Sequence, residues 1–152
     1  MKAFVIGLLM SVLLCACVSL PQEIMFVPDG EFDLSATAAP DARAFQIVFV
    51  SKSNEAICLD ADQWPNHLGQ VHMGSTRAQV VANGRIYPAI DQNFGYCVGP
   101  RCVIRIEPRQ RIEGSVAFSE FSGWNQVPEG AQLRYVVRPW FCAQRPGHNG
   151  LR

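Results

Sequence analysis

Beyond its first 16 residues, this 152-residue chain has no long stretch with the 3.6-residue apolar period of an amphipathic helix. Instead, short apolar stretches alternate with glycine, proline and asparagine, which is the pattern of strands joined by turns. A hydrophobic content of 49% with 17% charged residues is typical of a globular protein. The sequence therefore predicts one all-β domain.

The clearest strand covers 43–50, because Phe45, Ile47 and Phe49 fall on one face of it. The dipeptide Asn83-Gly84 lies between two apolar stretches and predicts a hairpin with a type I′ turn, since both central residues of that turn need positive φ. Further strands are predicted at 55–60, 102–107, 115–121 and 133–137.

About seven such strands favour an antiparallel immunoglobulin-like β-sandwich, with a small β-barrel as the alternative. We expect this domain to cover 43–143. The preceding segment, 17–42, is predicted to be a tether with a candidate first hairpin at Asp29-Gly30 and a small-residue linker at 35–40. The segment 144–152 is polar and is predicted to be a flexible tail.

The N-terminus has the features of an export signal. An apolar run over 3–14 follows one lysine and is too short to span a bilayer, which predicts a secretory signal peptide at 1–16. The residues Leu14-Cys15-Ala16-Cys17 resemble the lipobox of bacterial lipoproteins. This resemblance implies that Cys17 is lipidated and becomes the mature N-terminus, with ordinary cleavage near Ser19 as the alternative.

The expected location follows from the same resemblance. In that family an aspartate after the lipidated cysteine retains the protein at the inner membrane, whereas this chain has Val18 there. We therefore expect an exported protein that is lipid-anchored to the outer membrane of a two-membraned bacterium if Cys17 is lipidated. Without the lipid, the protein would be periplasmic or secreted.

Charge argues against nucleic acid as a partner. Lys and Arg number 13, Asp and Glu also number 13, and nucleic-acid binding needs concentrated positive charge. The distribution is uneven, because residues 17–63 contain eight acids and two basic residues, whereas residues 64–152 contain ten arginines and five acids. We expect the two halves to neutralise each other across a packed domain.

Four cysteines remain outside the leader and the lipobox, an even number that predicts a disulfide framework in an exported protein. Cys97 and Cys102 form the natural local pair, because the residues between them include a glycine and a proline and can reverse the chain. Cys58 is then left for Cys142. A zinc site is disfavoured, since Cys-x4-Cys is wider than the usual zinc-knuckle spacing.

The loop Val98-Gly99-Pro100-Arg101 between two cysteines is the main candidate contact site. A closed loop is rigid and loses little entropy on binding, and Arg101 presents a charge suited to a carboxylate. The loop is similar in spacing to the Cys-x4-Cys loop that one lysozyme-inhibitor family inserts into its target, but the enclosed residues differ. Alternatively, the bridge only secures a hairpin. Four aromatic residues are candidates for a contact surface, with packing in the core as the alternative for each: Phe94, Tyr96, Trp124 and Trp140.

No motif specifies a reaction. The three histidines, His67, His72 and His148, are not paired by sequence with a serine, and no nucleophile elbow occurs, so no enzyme activity is predicted. His67, His72 and Met73 form the densest cluster of candidate metal ligands, with Asp60 and Asp62 nearby as weak calcium ligands. Their spacing follows no recognised pattern, and we predict no metal or other cofactor.

The leading interpretation is a non-enzymatic cell-envelope lipoprotein that binds a protein or glycan partner. The first alternative is an inhibitor of a secreted hydrolase, a protease or lysozyme, that acts through the Cys97–Cys102 loop. The second is a small periplasmic metal-binding protein.

Overall fold

The computed structural model describes residues 25–94, 97, 99–122, 128 and 130–144. In these residues nine strands form three antiparallel sheets, and α-helix is limited to a single turn, α1 (Gly74–Arg77). The strands are β1 (Phe32–Ala39), β2 (Ala44–Ser51), β3 (Ile57–Asp60), β4 (Ala78–Ala82), β5 (Arg85–Pro88), β6 (Val103–Ile106), β7 (Arg111–Ala117), β8 (Gln132–Tyr135) and β9 (Trp140–Phe141).

The sheets have the strand orders β1-β2-β7, β6-β3-β9 and β5-β4-β8, and none of them closes into a barrel. They enclose one hydrophobic core to which all three contribute. The predicted all-β antiparallel fold is therefore confirmed, and the arrangement is consistent with a β-sandwich. On β2, the predicted inward face of Phe45, Ile47 and Phe49 is fully buried. Each such side chain stabilises the fold by roughly 1.5–3 kcal/mol through its burial.

The hairpin between β4 and β5 has the predicted turn. Asn83 and Gly84 have φ values of 50° and 72°, as a type I′ turn requires, and Ala82 pairs with Arg85 across it. The strands predicted at 55–60, 102–107 and 133–137 are also present and differ from β3, β6 and β8 only at their ends.

The predicted linker at 35–40 is wrong, because most of it belongs to β1, which pairs along its whole length with β2. Even-numbered residues of β1, Phe32 to Ala38, are half-buried, and the odd-numbered residues Asp33, Ser35 and Thr37 are exposed. Alanines at alternate positions therefore serve as the inner face of an edge strand. The sandwich begins at least at Phe32 and includes part of the segment predicted to be a tether.

The predicted first hairpin around Asp29-Gly30 is not formed either. Phe32 pairs with Ser51 of β2, and its ring stacks on Phe49 with 5.0 Å between ring centroids. The segment before Asp29 does not pair with β1, because the Val27 N–H donates to the Pro139 carbonyl at 2.9 Å. The tight connection in this region joins β1 to β2 instead.

The strand predicted at 115–121 begins and ends earlier, as β7. Its register with β2 starts at Arg111, and a 3₁₀ turn, Phe118–Glu120, follows it. Phe118 and Phe121 both reach the ring of Phe45, at centroid distances of 5.1 and 6.0 Å. A 3₁₀ helix has about three residues per turn, so it places side chains three apart on the same side.

Both predicted disulfides are present. Cys58 pairs with Cys142 over a sequence separation of 84, and Cys97 pairs with Cys102 over a separation of 5. Two disulfides are typical of an oxidising, exported environment. Within the described residues, no helix is both long and apolar enough to cross a membrane. The signal peptide, the lipobox and 145–152 lie outside the described residues.

Candidate binding surface

The Cys97–Cys102 loop is positioned by the pairing of β6 with β3. Val103, the first residue of β6, lies opposite Asp60, the last residue of β3, so the loop that enters β6 meets the turn that leaves β3. That turn is the 3₁₀ segment Ala61–Gln63. The loop itself ends in a second 3₁₀ turn, Pro100–Cys102, which Gly99 enters with a φ of 104°.

Two contacts hold the loop. The Cys97 N–H donates to the Asp62 carboxylate at 3.3 Å, and the Cys102 N–H donates to the Gly99 carbonyl at 3.1 Å. Cys102 is buried, whereas Cys97 and Arg101 are exposed. One end of the loop is therefore anchored in the domain while its arginine faces solvent. We call Cys97, Gly99–Cys102 and Asp62 the loop surface.

The predicted aromatic contact surface is described only in part. Phe94 is 49% exposed and lies before the loop, whereas Trp140 is buried in β9. Tyr96 and Trp124 lie outside the described residues, as does Val98 of the predicted contact loop. Of the four predicted aromatic residues, Phe94 is the one described as exposed and so able to add apolar contact area.

The predicted metal ligands have different surroundings. His67 is exposed in the turn before Gly69, whereas His72 is buried with its ring centroid 6.2 Å from that of Phe94. Met73 is 43% exposed. Within the described part of the chain, no group of three His, Cys, Asp or Glu residues could hold a metal ion. His148 lies outside it.

Both acids of the predicted calcium pair make contacts within the protein. The Asp60 carboxylate accepts a hydrogen bond from the Gln63 amide at 3.1 Å, and the Asp62 carboxylate accepts from the Cys97 N–H. Asp60 thus bonds within its own turn, and Asp62 joins that turn to the disulfide loop.

Glu120 is a buried acid that the sequence did not identify, because it lies in a stretch with a strand pattern. It is 4% exposed, and its carboxylate accepts a hydrogen bond from the Val71 N–H at 3.4 Å. Burial raises the pKa of Glu120, and hydrogen bonds from Val71 and Gln92 oppose that rise. No serine or cysteine nucleophile is placed beside it by any described contact.

An open groove of about 390 Å³ lies along β7 and is lined mainly by polar groups. Trp64 forms one wall, and its indole Nε1 lies 2.8 Å from the position that a Cβ on Gly114 would occupy. The side chain of Asn66 is held by its own turn, since its oxygen accepts hydrogen bonds from the N–H groups of Leu68 and Gln70.

A smaller pocket of about 230 Å³ lies beside the Ala61–Gln63 turn and has two arginines in its wall. We call it the arginine pocket, and its lining residues are Gln63, Thr76, Arg77, Val136 and Arg138. The sequence did not predict it, because Arg77 and Arg138 are far apart in the chain and no local pattern joins them. The weak signal was the excess of arginine in residues 64–152.

The expected neutralisation between the acidic and basic halves is not made by ion pairs in the described residues. The three ion pairs found there are Lys52–Asp33, Arg105–Glu107 and Arg111–Glu113. Each joins residues of the same half, and all six side chains are substantially exposed. These three ion pairs therefore do not link the acidic half to the basic half.

Comparison with known proteins finds no matching family model, no similar curated protein and no similar solved structure.

Proposed function

We propose that this chain is a non-enzymatic binding module of the cell envelope, which contacts a protein or glycan partner through the loop surface. The main support is the way in which Arg101 is presented. A disulfide closes its loop, Asp62 holds one end, and the guanidinium side chain is exposed. A loop that is ordered before binding loses little entropy on binding, and arginine is enriched at protein interfaces.

A binding assay with matched variants tests this proposal. The purified protein is titrated against isolated peptidoglycan and against immobilised envelope proteins, alone and as the variants Arg101→Ala and Arg85→Ala. Both arginines are exposed, but Arg85 lies in β5, which belongs to a different sheet from β3 and β6 beside the loop. We expect Arg101→Ala to weaken binding about tenfold and Arg85→Ala to leave it unchanged. No saturable binding to either material, or equal effects of the two substitutions, would contradict the proposal.

The same presentation of Arg101 also supports the inhibitor alternative, in which the loop enters the active site of a secreted hydrolase. The expected result is slower turnover by lysozyme or a secreted protease in the presence of the protein. Arg101→Ala should abolish this effect without lowering stability, because the side chain is exposed and has no described partner. Full inhibition by the Arg101→Ala variant would remove the loop from that role.

We further propose that lipidated Cys17 tethers the module to the outer membrane. The support is the lipobox-like sequence and the oxidising environment that two disulfides indicate. Intact mass of the protein isolated from its own membrane fraction tests the anchor. A chain that starts at Cys17 and carries acyl groups is expected, and a soluble chain cleaved beyond Cys17 would show a periplasmic or secreted protein instead.

A further inference from the structure

The arginine pocket has a charge arrangement that the protein does not neutralise. Neither Arg77 nor Arg138 has an ion pair or side-chain hydrogen bond in the described residues, and the Nε of Arg77 is buried without a partner there. No acid is among the lining residues. Both guanidinium charges are thus uncompensated by the described residues, and a bound anion would supply the missing opposite charge.

The other polar groups of the pocket are already engaged. The Gln63 amide nitrogen donates to the Asp60 carboxylate at 3.1 Å, and the Gln63 amide oxygen accepts from the backbone N–H of Arg138 at 2.7 Å. The Thr76 hydroxyl donates to the Met73 carbonyl at 2.9 Å. The Gln63 oxygen and the Thr76 hydroxyl proton are therefore used within the protein, and the guanidiniums are the charged donors of the pocket.

Two further contacts join the segments that carry the two arginines. The Val136 N–H donates to the Arg77 carbonyl at 2.8 Å, so the end of α1 is joined to the residue after β8. The Tyr135 hydroxyl donates to the Gln63 carbonyl at 3.0 Å, which secures the turn that binds Arg138. Burial raises the pKa of Tyr135, so its phenol stays neutral and adds no negative charge near Arg77.

The size and lining of the pocket indicate what kind of anion it takes. At about 230 Å³ it is smaller than the roughly 300–1,000 Å³ of pockets for drug-sized ligands, so it fits a single small group. Val136, which is 50% exposed, gives it an apolar wall. A carboxylate on an aliphatic stem matches both the guanidinium donors and this wall, whereas inorganic phosphate has no apolar part.

We propose that the arginine pocket binds a carboxylate group of a peptide, either an acidic side chain or a chain terminus, and so anchors an acidic protein partner. This inference rests on the proposed binding function for its biological role. It also extends the loop surface, because Gln63 of the pocket follows Asp62, which holds the Cys97 N–H.

Nuclear magnetic resonance of the purified, ¹⁵N-labelled protein tests the pocket without needing the natural partner. The readout is the Arg77 Nε–H signal, which the burial of that nitrogen should protect from exchange. Three peptides with a blocked N-terminus are the probes: one with a glutamate side chain and a blocked C-terminus, one whose only carboxylate is its C-terminus, and a neutral one with glutamine and a blocked C-terminus. Inorganic phosphate is the fourth probe.

A saturable shift with either carboxylate peptide, and none with the glutamine peptide, is the expected result. The peptide that binds identifies the source of the carboxylate. Arg138→Gln should weaken the binding about tenfold, while Arg134→Gln, an exposed arginine of β8 outside the pocket, should not. Arg138 is itself exposed, so this variant is expected to fold.

Absence of a saturable shift, an equal response to the glutamine peptide, or tighter binding of phosphate than of either carboxylate would overturn the inference. These outcomes leave the loop-dependent binding of envelope material untouched. Conversely, loss of that binding would refute the proposed function while a carboxylate-specific shift of Arg77 still showed a working anion pocket.

Discussion

Gly114 lacks a side chain at a point where Trp64 leaves no space for one. A Cβ there would lie 2.8 Å from the indole Nε1 of Trp64 and 3.0 Å from Pro65. Gly114→Ala should therefore destabilise the fold by about 1–3 kcal/mol through overpacking. Gly30→Ala is the matched control, because nothing lies within 4 Å of its added Cβ. Urea denaturation measures both, and similar midpoints for the two variants would contradict this packing.

Glu120 makes stability depend on pH. Its pKa is raised in the folded state by burial, so the folded protein binds the proton more tightly than the unfolded chain does. The unfolding free energy should fall as pH rises from the ordinary pKa of glutamate to the raised pKa of Glu120. Above that raised pKa the loss of stability is complete. Glu120→Gln keeps an oxygen for the Val71 N–H and should flatten this fall. Unfolding free energies measured from pH 4 to 7 check this, and parallel profiles for both proteins would contradict it.

The two disulfides differ in how much they are expected to stabilise the fold. The Cys58–Cys142 bridge connects β3 to the residue after β9, where the Cys142 N–H also donates to the Ala56 carbonyl. The chain-entropy relation gives about 4.5 kcal/mol for a loop of this length and about 2 kcal/mol for the Cys97–Cys102 loop.

Replacing both cysteines of each bridge by alanine tests that difference. The variant without Cys58–Cys142 is expected to lose the larger part of its unfolding free energy in chemical denaturation, and the variant without Cys97–Cys102 is expected to stay folded. A larger loss from the short bridge would show that the loop surface is a structural staple for the whole domain.

The sequence predicted well those elements whose conformation depends on a few neighbouring residues. The period-2 face of β2 and the positive φ values of Asn83-Gly84 depend on a few neighbouring residues. The edge strand β1 was missed because Ala36 and Ala38 are weakly apolar, and only pairing with β2 shows them as an inner face. The end of β7 was misplaced because the 3₁₀ turn at Phe118 is set by packing on Phe45.

At the scale of the whole molecule, the candidate site combines a part that sequence predicted with a part that it could not. Cysteine spacing predicted the loop around Arg101. The arginine pocket depends on Gln63, which binds the backbone of Arg138 and lies beside Asp62 in a turn placed by β3. Only the fold brings these distant segments together. The sequence alone shows an excess of arginine in residues 64–152 but not where those arginines meet.

Contact in the native envelope is the most direct test of the binding surface. A photoreactive amino acid is placed at position 101 of the full chain, with position 85 on β5 as a control that is also exposed. After irradiation of intact cells that make the protein, position 101 should give one discrete cross-linked species and position 85 should give none. Treatment with a glycan hydrolase or a protease then shows whether that species contains a glycan or a protein. No cross-link at 101, or the same pattern from 101 and 85, would contradict the proposal that this loop contacts a partner.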